Sequence, residues 1–315
     1  MLGHEKKISA IIACYRDEQA IPIMHERLSK TFREIGCNYE IIFVNDGSPD
    51  DSERVLRTIA EKDSHVTVIT HSRNFSSQNA FLSGMSVATG DAVVLLDGDL
   101  QDPPEIIVKF FAKWQEGFDV VYGVRTVRDA TLFLRFAYKL FYRIFNKLSY
   151  VSVPRDAGDF SLIDRKVVDI LIAMPESDMF IRGLRAWVGF KQTGIPYHRP
   201  ERMFGKTTNN ILKNVRWAKK GIFSFSYEPL ELVFYLATSV SFVALLAIVL
   251  YVILYFRNTD SPRGTSTIIV FILFFSSIQL ICVSIIGEYL GRIFEEVKKR
   301  PKYIVKDIIN KPSKK

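Results

Sequence analysis

Residues 93–105 read Val-Val-Leu-Leu-Asp-Gly-Asp-Leu-Gln-Asp-Pro-Pro-Glu, an apolar run that ends in two aspartates separated by one glycine. Four apolar residues that include two valines predict a buried strand. Residues i and i+2 of an extended backbone point the same way, so Asp97 and Asp99 can face one cation. The two prolines then favour the start of a helix, with Asp102 in position to cap it.

This aspartate pair has two interpretations, a solvated acidic turn and a metal site. A bare Asp-x-Asp is more often a solvated turn, but here a buried strand precedes the pair and a helix start follows it. Carboxylate oxygens are ligands that Mg²⁺ and Mn²⁺ prefer, and α/β sheets bind ligands beyond the carboxyl ends of their strands. We therefore predict that Asp97 and Asp99 hold a divalent ion that carries a diphosphate.

Short apolar strands alternate with amphipathic helices in the first part of the chain. The predicted strands cover residues 8–14, 39–44, 66–69, 93–96 and 120–123, and the predicted helices cover 19–36, a segment ending near 63, 74–88 and 103–115. Such alternation predicts βαβ units and a mostly parallel sheet. Polar clusters follow four of the strands, at residues 15–18, 45–48, 73–74 and 97–101, so we expect them at one edge of that sheet.

The middle of the chain is basic and aromatic. Between residues 125 and 147 six basic residues stand against one acid, and residues 131–148 alternate phenylalanines with arginines and lysines. This pattern is typical of a helix lying in a membrane interface, and a core helix with a solvated basic face is the alternative. In the interfacial interpretation, Arg125 with Arg135 or Lys139 presents positive charge at headgroup depth.

Residues 156–208 return to a mixed pattern. Residues 156–160 are predicted to be a loop that places the acids Asp156 and Asp159 near the sheet. Helices are predicted at 164–174 and 179–188, followed by a loop at 196–208.

Two uncharged apolar segments follow, at residues 232–256 and 267–287. Each is long enough to cross a bilayer as a helix. Basic residues flank the entry to the first segment and the exit from the second, so both ends are predicted to be cytoplasmic. The expected organisation is a catalytic domain at 1–228 with interfacial amphipathic segments at 131–148 and 209–228, a two-helix transmembrane domain at 229–291 with spans at 232–256 and 267–290, and a basic cytoplasmic tail at 292–315.

Composition excludes several classes of protein. The 315 residues carry a net charge of +8, and the basic excess lies beside apolar segments. Such clusters indicate contact with a membrane surface rather than with nucleic acid. Three cysteines without paired spacing argue against a disulfide framework or a zinc site. The first residues lack the apolar core of a signal peptide, so the catalytic part is expected to face the cytoplasm.

Several motifs together resemble the family 2 glycosyltransferases of the GT-A fold. They are Tyr15-Arg16-Asp17-Glu18, Val44-Asn45-Asp46-Gly47-Ser48, Arg73-Asn74-Phe75, Asp97-Gly98-Asp99-Leu100-Gln101-Asp102-Pro103 and Asp156-Ala157-Gly158-Asp159-Phe160. With two C-terminal spans, the pattern is most similar to polyprenyl-phosphate glycosyltransferases, and among these to the bactoprenol glucosyltransferases of O-antigen glucosylation clusters. The chain departs from that pattern at Arg16, where asparagine is commoner, and at Asn45, where aspartate is commoner.

This resemblance implies a fold, a reaction and a location. The fold would be α/β, with a Rossmann-like GT-A catalytic domain followed by interfacial amphipathic helices and two transmembrane helices. The enzyme would be a multi-pass homo-tetramer in the bacterial cytoplasmic (inner) membrane, with its catalytic domain and both termini in the cytoplasm. It would transfer a hexose with inversion from a nucleotide sugar, UDP-glucose first, to undecaprenyl phosphate for lipopolysaccharide O-antigen modification, using Mg²⁺ or Mn²⁺.

The resemblance also implies roles for individual residues. The nucleotide-sugar contacts would come from Tyr15, Glu18, Asp46, Arg73 and Gln101, and from Arg202 and Lys206 in a loop that closes over the donor. The metal and diphosphate positions match Asp97, Asp99 and Gln101, and the catalytic set would be Asp97, Asp99, Asp156 and Asp159. A phosphate monoester already carries an oxyanion near neutral pH, so a general base is not required. Asp159 is therefore expected first to orient sugar hydroxyls, then to support the metal ligands, and last to act as a base.

Three alternatives stay open at this point. Related transferases carry mannose or aminoarabinose to a lipid phosphate, and the motifs do not distinguish the sugar. A processive polysaccharide synthase would need a Gln-x-x-Arg-Trp motif and a larger membrane region, whereas this chain has Lys213 three residues before Arg216-Trp217 and two spans. A non-catalytic membrane scaffold disagrees with the intact set of acidic residues.

Overall fold

The computed structural model describes residues 6–126, 157–177, 179–204, 226–257 and 264–311. The chain forms two compact units. The first contains a mixed sheet with its helices and also the segment after residue 299, while the second contains a pair of long helices. The predicted interfacial segment 131–148, and most of the one at 209–228, lie outside the described residues.

One sheet of eight strands organises the described part of the first unit. The strands are β1 (Lys7–Cys14), β2 (Asn38–Asn45), β3 (Val66–His71), β4 (Ala92–Asp97), β5 (Val120–Arg125), β6 (Ala157–Asp164), β7 (Gln192–Tyr197) and β8 (Val305–Ile309). Their order across the sheet is β7-β5-β6-β4-β1-β2-β3-β8. β1 to β4 pair in parallel, as do β5 and β7, whereas β6 and β8 run antiparallel to their neighbours. The predicted α/β fold with a mostly parallel sheet is confirmed.

Helices cover both faces of the sheet. One face is packed by α1 (Ala20–Ile35), α2 (Ser52–Lys62) and α4 (Ile107–Gln115), and the other by α3 (Ser77–Val87), α5 (Arg165–Ala173) and α6 (Ile181–Trp187). Successive side chains of β1 point to opposite faces of the sheet, because side chains alternate along a strand. Ile12 joins the core beneath α1. Ile11 meets α3 at Gly84, where a Cβ atom would lie 2.3 Å from the Ile11 Cγ2 atom, so this close packing requires glycine.

The structure contains three strands that the sequence patterns missed. β6 occupies most of the segment predicted as a loop at 156–160, so that prediction is wrong. Glycine and aspartate at 158 and 159 disfavour strands, but pairing with β4 on one side and β5 on the other overrides this preference. β7 extends into the predicted loop at Pro196, which a sheet tolerates because β7 is an edge strand. β8 lies within the predicted basic tail and forms the opposite edge.

The second unit contains two helices, α7 (Glu228–Arg257) and α8 (Thr265–Lys298). Both are long and apolar enough to cross a membrane. α8 ends where Lys299 takes a left-handed backbone conformation, with φ of 48°. The chain that follows this helix pair returns to the first unit, because residues 300–311 cluster with the sheet.

Candidate active site

The strand directions bring six carboxyl ends to one edge of the sheet. These are the carboxyl ends of β1 to β5 and β7, joined by the amino ends of the antiparallel strands β6 and β8. Asp97 ends β4, two residues after Leu95, which pairs with Ser161 of β6, and the negative charge of Asp159 on β6 acts on Asp97. The polar clusters predicted to meet at this edge therefore do meet there.

Five aspartates form a largely buried acidic cluster at this edge: Asp17, Asp97, Asp99, Asp102 and Asp159. Burial raises the pKa of Asp97 to about 8, and the negative charges of Asp102, Asp99 and Asp159 add to the shift. Burial likewise raises the pKa of Asp17 to about 6. Carboxyl groups that raise one another's pKa in this way favour binding of a cation.

The donor atoms of this cluster suit a hard divalent ion that has further ligands of its own. Asp99 Oδ1 accepts a hydrogen bond from the backbone N–H of Gln101 at 3.1 Å, which fixes the turn after β4. The Gln101 side chain donates instead to the Pro200 carbonyl at 3.2 Å. The described residues contain no group of three or more His, Cys, Asp and Glu side chains placed to hold a metal. An ion between Asp97 and Asp99 would therefore need oxygens from a ligand or from water.

Arginines from the segment after β7 and from β5 face the acidic cluster. Arg202 donates to Asp17 Oδ1 at 3.1 Å and lies 4.0 Å from Asp99, and Arg199 lies 3.8 Å from Asp102. The positive charge of Arg125, at the end of β5, also acts on Asp102. The sequence singled out Arg202 and Arg125 but not Arg199.

Asp102 does not cap a helix, contrary to the sequence prediction. The helical turn Pro104–Ile106 that precedes α4 has Pro103 at its cap position, without a side-chain cap. Asp102 is 1% exposed and accepts a 2.5 Å hydrogen bond from the Tyr197 hydroxyl, at the end of β7. The side chain turns inward because β7, which the sequence did not reveal, offers it a buried donor.

Asp159 is held by a set of cationic and amide groups. Arg182 donates to both carboxylate oxygens, through Nε at 3.3 Å and Nη2 at 3.1 Å, and the Gln78 amide donates to Oδ2 at 3.0 Å. Burial alone would raise the pKa of Asp159, but these contacts and the charge of Arg185 lower it below its usual range. Asp159 is therefore a carboxylate near neutral pH, with both oxygens already accepting hydrogen bonds.

Arg185 is a buried cation next to this pair. Its guanidinium donates to the Gly158 carbonyl at 3.3 Å and lies 5.2 Å from the centre of the Tyr122 ring. Burial lowers its pKa to about 10. Sequence reasoning missed both arginines of α6, although their spacing of three residues places them on one helix face.

The predicted nucleoside contacts lie in the loops after β1, β2 and β3. Glu18 accepts from the Asp51 backbone at 2.9 Å, the half-exposed Tyr15 leads the first loop, and the Arg73 guanidinium stacks on the Phe75 ring at 4.0 Å. Asp46 Oδ1 accepts from His71 Nδ1 and from the Phe75 backbone, each at 2.8 Å. Sequence reasoning assigned no role to His71, whose hydrogen bond helps to hold the Asp46 carboxylate in place.

The structure accounts for the departure from the family pattern at Asn45 and not for the one at Arg16. Asn45 Oδ1 accepts from the Ser48 backbone at 3.0 Å, a contact in which the amide oxygen serves as well as a carboxylate oxygen. Arg16 has a φ of 61°, in the left-handed region that asparagine adopts more easily than arginine.

Four predicted site residues lie outside the described part of the chain: Arg135, Lys139, Asp156 and Lys206. Their roles stay predictions.

Comparison with known proteins adds the family. The family model described as glycosyl transferase family 2 matches residues 9–171. An uncharacterized glycosyltransferase of Bacillus subtilis, YkcC, is 42% identical over 94% of this chain and 92% of its own length. The bactoprenol glucosyl transferase of Shigella phage SfII is 38% identical over 95% of this chain and 97% of its own.

A solved structure with a similar chain path is glucosyl-3-phosphoglycerate synthase from Mycobacterium tuberculosis, in complex with Mn²⁺, uridine diphosphate and glucosyl-3-phosphoglycerate. It is 20% identical, with a TM-score of 0.43 over 69% of this chain and 77% of that one. The family model and the curated relatives establish that the chain is a glycosyltransferase belonging to glycosyl transferase family 2.

Proposed function

We propose that the protein transfers a hexose, with inversion, from a nucleotide sugar to undecaprenyl phosphate, and that UDP-glucose is its preferred donor. The observation that carries this proposal is a buried cluster of aspartates that faces three arginines, Arg125, Arg199 and Arg202, at one edge of the sheet. The acids suit a cation with a diphosphate, and the arginines suit a second anion. Relatives named bactoprenol glucosyl transferase over nearly the whole chain support the same acceptor.

On the donor side, Asp97 and Asp99, with Gln101 beside them, would hold Mg²⁺ or Mn²⁺ together with the diphosphate. A divalent ion bound there supplies charge stabilisation for the leaving diphosphate. Asp46 would read the base, and Tyr15, Glu18 and Arg73 would line the nucleoside. Arg202 would fold over the donor, since it already joins Asp17 in the loop after β1 to the segment after β7. Lys206, in the same loop, would also contact the donor when the loop closes.

On the acceptor side, the nucleophile is the phosphate oxygen of the lipid. Its second pKa is about 6, so the oxyanion exists near neutral pH without a general base. Asp159, with both oxygens occupied, would position Arg182 and the sugar hydroxyls rather than take a proton. Arg125 Nε and Arg185 Nη1 are buried without a hydrogen-bond partner among the described residues, which supports an anion site here. Arg125, with Arg135 or Lys139, would hold the lipid phosphate, and Asp156 would belong to the catalytic set.

The location we propose is the bacterial inner membrane, with the catalytic unit and both termini in the cytoplasm. Strand β8 follows the helix pair in sequence yet belongs to the same sheet as β1 to β4. A chain that leaves and rejoins one folded unit must cross the membrane an even number of times. Two spans meet this condition. A homo-tetramer is the assembly that the family resemblance implies.

A donor and acceptor panel tests the proposal. The full-length protein, purified in a neutral detergent, is supplied with radiolabelled UDP-glucose, GDP-mannose or UDP-aminoarabinose and with undecaprenyl phosphate. The proposal predicts lipid-extractable label that depends on undecaprenyl phosphate and is highest with UDP-glucose. Preference for another sugar would correct the donor alone. Label that accumulates as a polymer would favour a processive synthase, and absence of transfer from every donor would overturn the proposal.

A further inference from the structure

We infer that the segment following α8 completes the donor site, and that Tyr303 is a positioning residue for the nucleotide. This inference rests on the proposed function, because it concerns the pocket in which Asp46 would read the base. Residues 300–311, called here the return segment, fall within the basic tail that the sequence predicts. Their contacts with β3 and α3 give them a more specific role.

The return segment is an ordered part of the catalytic sheet. Its strand β8 pairs antiparallel with β3, and the Ile304 carbonyl accepts from the Ser72 backbone at 3.0 Å. The Lys302 ammonium donates to the Met174 carbonyl at 2.6 Å. The Asn310 amide donates to the Ala60 and Val66 carbonyls at 2.7 Å and 3.1 Å. These contacts fix the backbone on both sides of Tyr303.

Because β8 is antiparallel to β3, the residues that precede β8 lie at the carboxyl edge of the sheet, where the site is. There the Tyr303 ring stacks on the His71 imidazole, with ring centres 5.5 Å apart and an angle of 12° between the planes. The Tyr303 hydroxyl lies 3.1 Å from Ser86 Oγ on α3. Tyr303 therefore packs directly against a residue that supports Asp46.

His71 is 1% exposed, and both of its ring nitrogens have partners. Nδ1 donates to Asp46 Oδ1 at 2.8 Å, and Nε2 lies 2.9 Å from Ser83 Oγ. Phe75 contributes the second hydrogen bond to the same Asp46 oxygen. Asp46 Oδ2 accepts none from the described residues, which leaves it for a ligand.

These contacts form a line from the return segment to the ligand-facing oxygen. The Tyr303 ring fixes the plane of His71, His71 and the Phe75 backbone fix Asp46 Oδ1, and the orientation of Oδ2 follows. Without the flat ring of Tyr303, the imidazole would gain freedom to tilt, and Asp46 would lose part of its preorganisation. Preorganisation lost in this way weakens ligand binding without removing any group that touches the ligand.

The experiment measures UDP binding to the full-length protein by isothermal titration calorimetry in the presence of Mn²⁺. Tyr303→Leu keeps an apolar side chain but removes the stacking ring, and should raise the Kd for UDP about fivefold to tenfold. Tyr303→Phe restores the ring and should bind UDP within about twofold of the wild type. The donor KM should follow the same order, while kcat and the acceptor KM stay unchanged.

Lys306→Ala is the matched control. Lys306 lies in β8, and its side chain pairs with Glu53 of α2 at 3.1 Å, whereas the His71 side chain contacts Ser83 of α3. Its loss should leave the Kd for UDP unchanged. Equal binding by wild type and a folded Tyr303→Leu protein would overturn the inference, and so would equal weakening by Tyr303→Phe and Tyr303→Leu.

Hydrogen exchange on the wild-type protein supplies a test that needs no variant. If the return segment and the pocket are coupled, UDP must slow amide exchange at residues 303–309 as well as near residues 71–75, because coupling is reciprocal. Slowing at 71–75 alone would overturn the inference and leave the proposed function intact. A wild type that binds no nucleoside diphosphate would overturn both.

Discussion

Replacing Asp159 by asparagine removes one negative charge from between two arginines while keeping the shape of the side chain. In the wild type, Arg182 donates to both carboxylate oxygens, and the buried Arg185 depends on the same charge. Removing one partner of a buried ion pair costs about 3–5 kcal/mol. Because the Arg182 side chain is 28% exposed, solvent screens part of this loss, and we expect about 3 kcal/mol.

Thermal unfolding of the full-length protein in detergent measures this cost. For a unit of this size, about 3 kcal/mol corresponds to a Tm lower by roughly 6–12 °C. Asp169→Asn is the control, because Asp169 forms a looser pair with Arg165 at 3.6 Å and its side chain is 62% exposed. That change should cost less than about 1 kcal/mol. Equal Tm shifts for the two variants would refute the view of Asp159 as an electrostatic clamp.

The activity of Asp159→Asn tests the second half of this reasoning. A positioning residue should lower kcat/KM about tenfold to a hundredfold and leave the shape of the pH profile between pH 6 and 8 unchanged. The ionisation of the acceptor phosphate, near pH 6, would then set that profile. A loss beyond about ten thousandfold in a protein that remains folded would indicate a general base and refute the positioning role.

Three further predictions concern the metal, the acidic cluster and the topology. Asp99→Ala should stay folded but lose at least about a hundredfold in turnover, measured as initial transfer rates. Excess EDTA should cause the same loss in the wild type. Full activity of the variant, or of the wild type in EDTA, would contradict the assignment of Asp99 as a metal ligand. Folding raises the pKa of Asp17 to about 6, so the ionised form is penalised and the wild type loses stability as the pH rises from 3.8 through 6. In the absence of divalent metal, Asp17→Asn should therefore raise the free energy of unfolding by about 2–3 kcal/mol at pH 8 and by much less at pH 4.5. An equal change at both pH values would contradict the raised pKa of Asp17. A cysteine at Asp260 in a cysteine-free background should react with an impermeant reagent from outside the cell, and reaction of one at Lys311 instead would overturn the topology.

The sequence was sufficient for features that depend on local pattern. β1 to β5 are short apolar runs between turn signals, and the acids after β4 follow a buried strand. Because parallel strands place their carboxyl ends together, this pattern also located the candidate site. Asp97, Asp99 and Asp46 could therefore be assigned to one edge of the sheet from the sequence pattern alone.

Features that depend on distant partners could not be predicted in this way. β6 enters the sheet between β4 and β5, where the end of the Arg125 side chain lies against its Gly158. Arg182 becomes significant only when α6 places it on Asp159. The same holds for Tyr303, which lies far from His71 in sequence and reaches it only because β8 rejoins the sheet.

The most direct measurement of the central claim is the structure of the reaction product. Full-length protein is incubated with UDP-glucose, Mn²⁺ and undecaprenyl phosphate, and the purified lipid is analysed by mass spectrometry and by proton and phosphorus NMR. Our interpretation predicts one hexose joined to the lipid phosphate through an inverted, β anomeric centre, and no product from Asp99→Ala. A sugar attached to a hydroxyl group, or an anomeric centre with retained configuration, would contradict it.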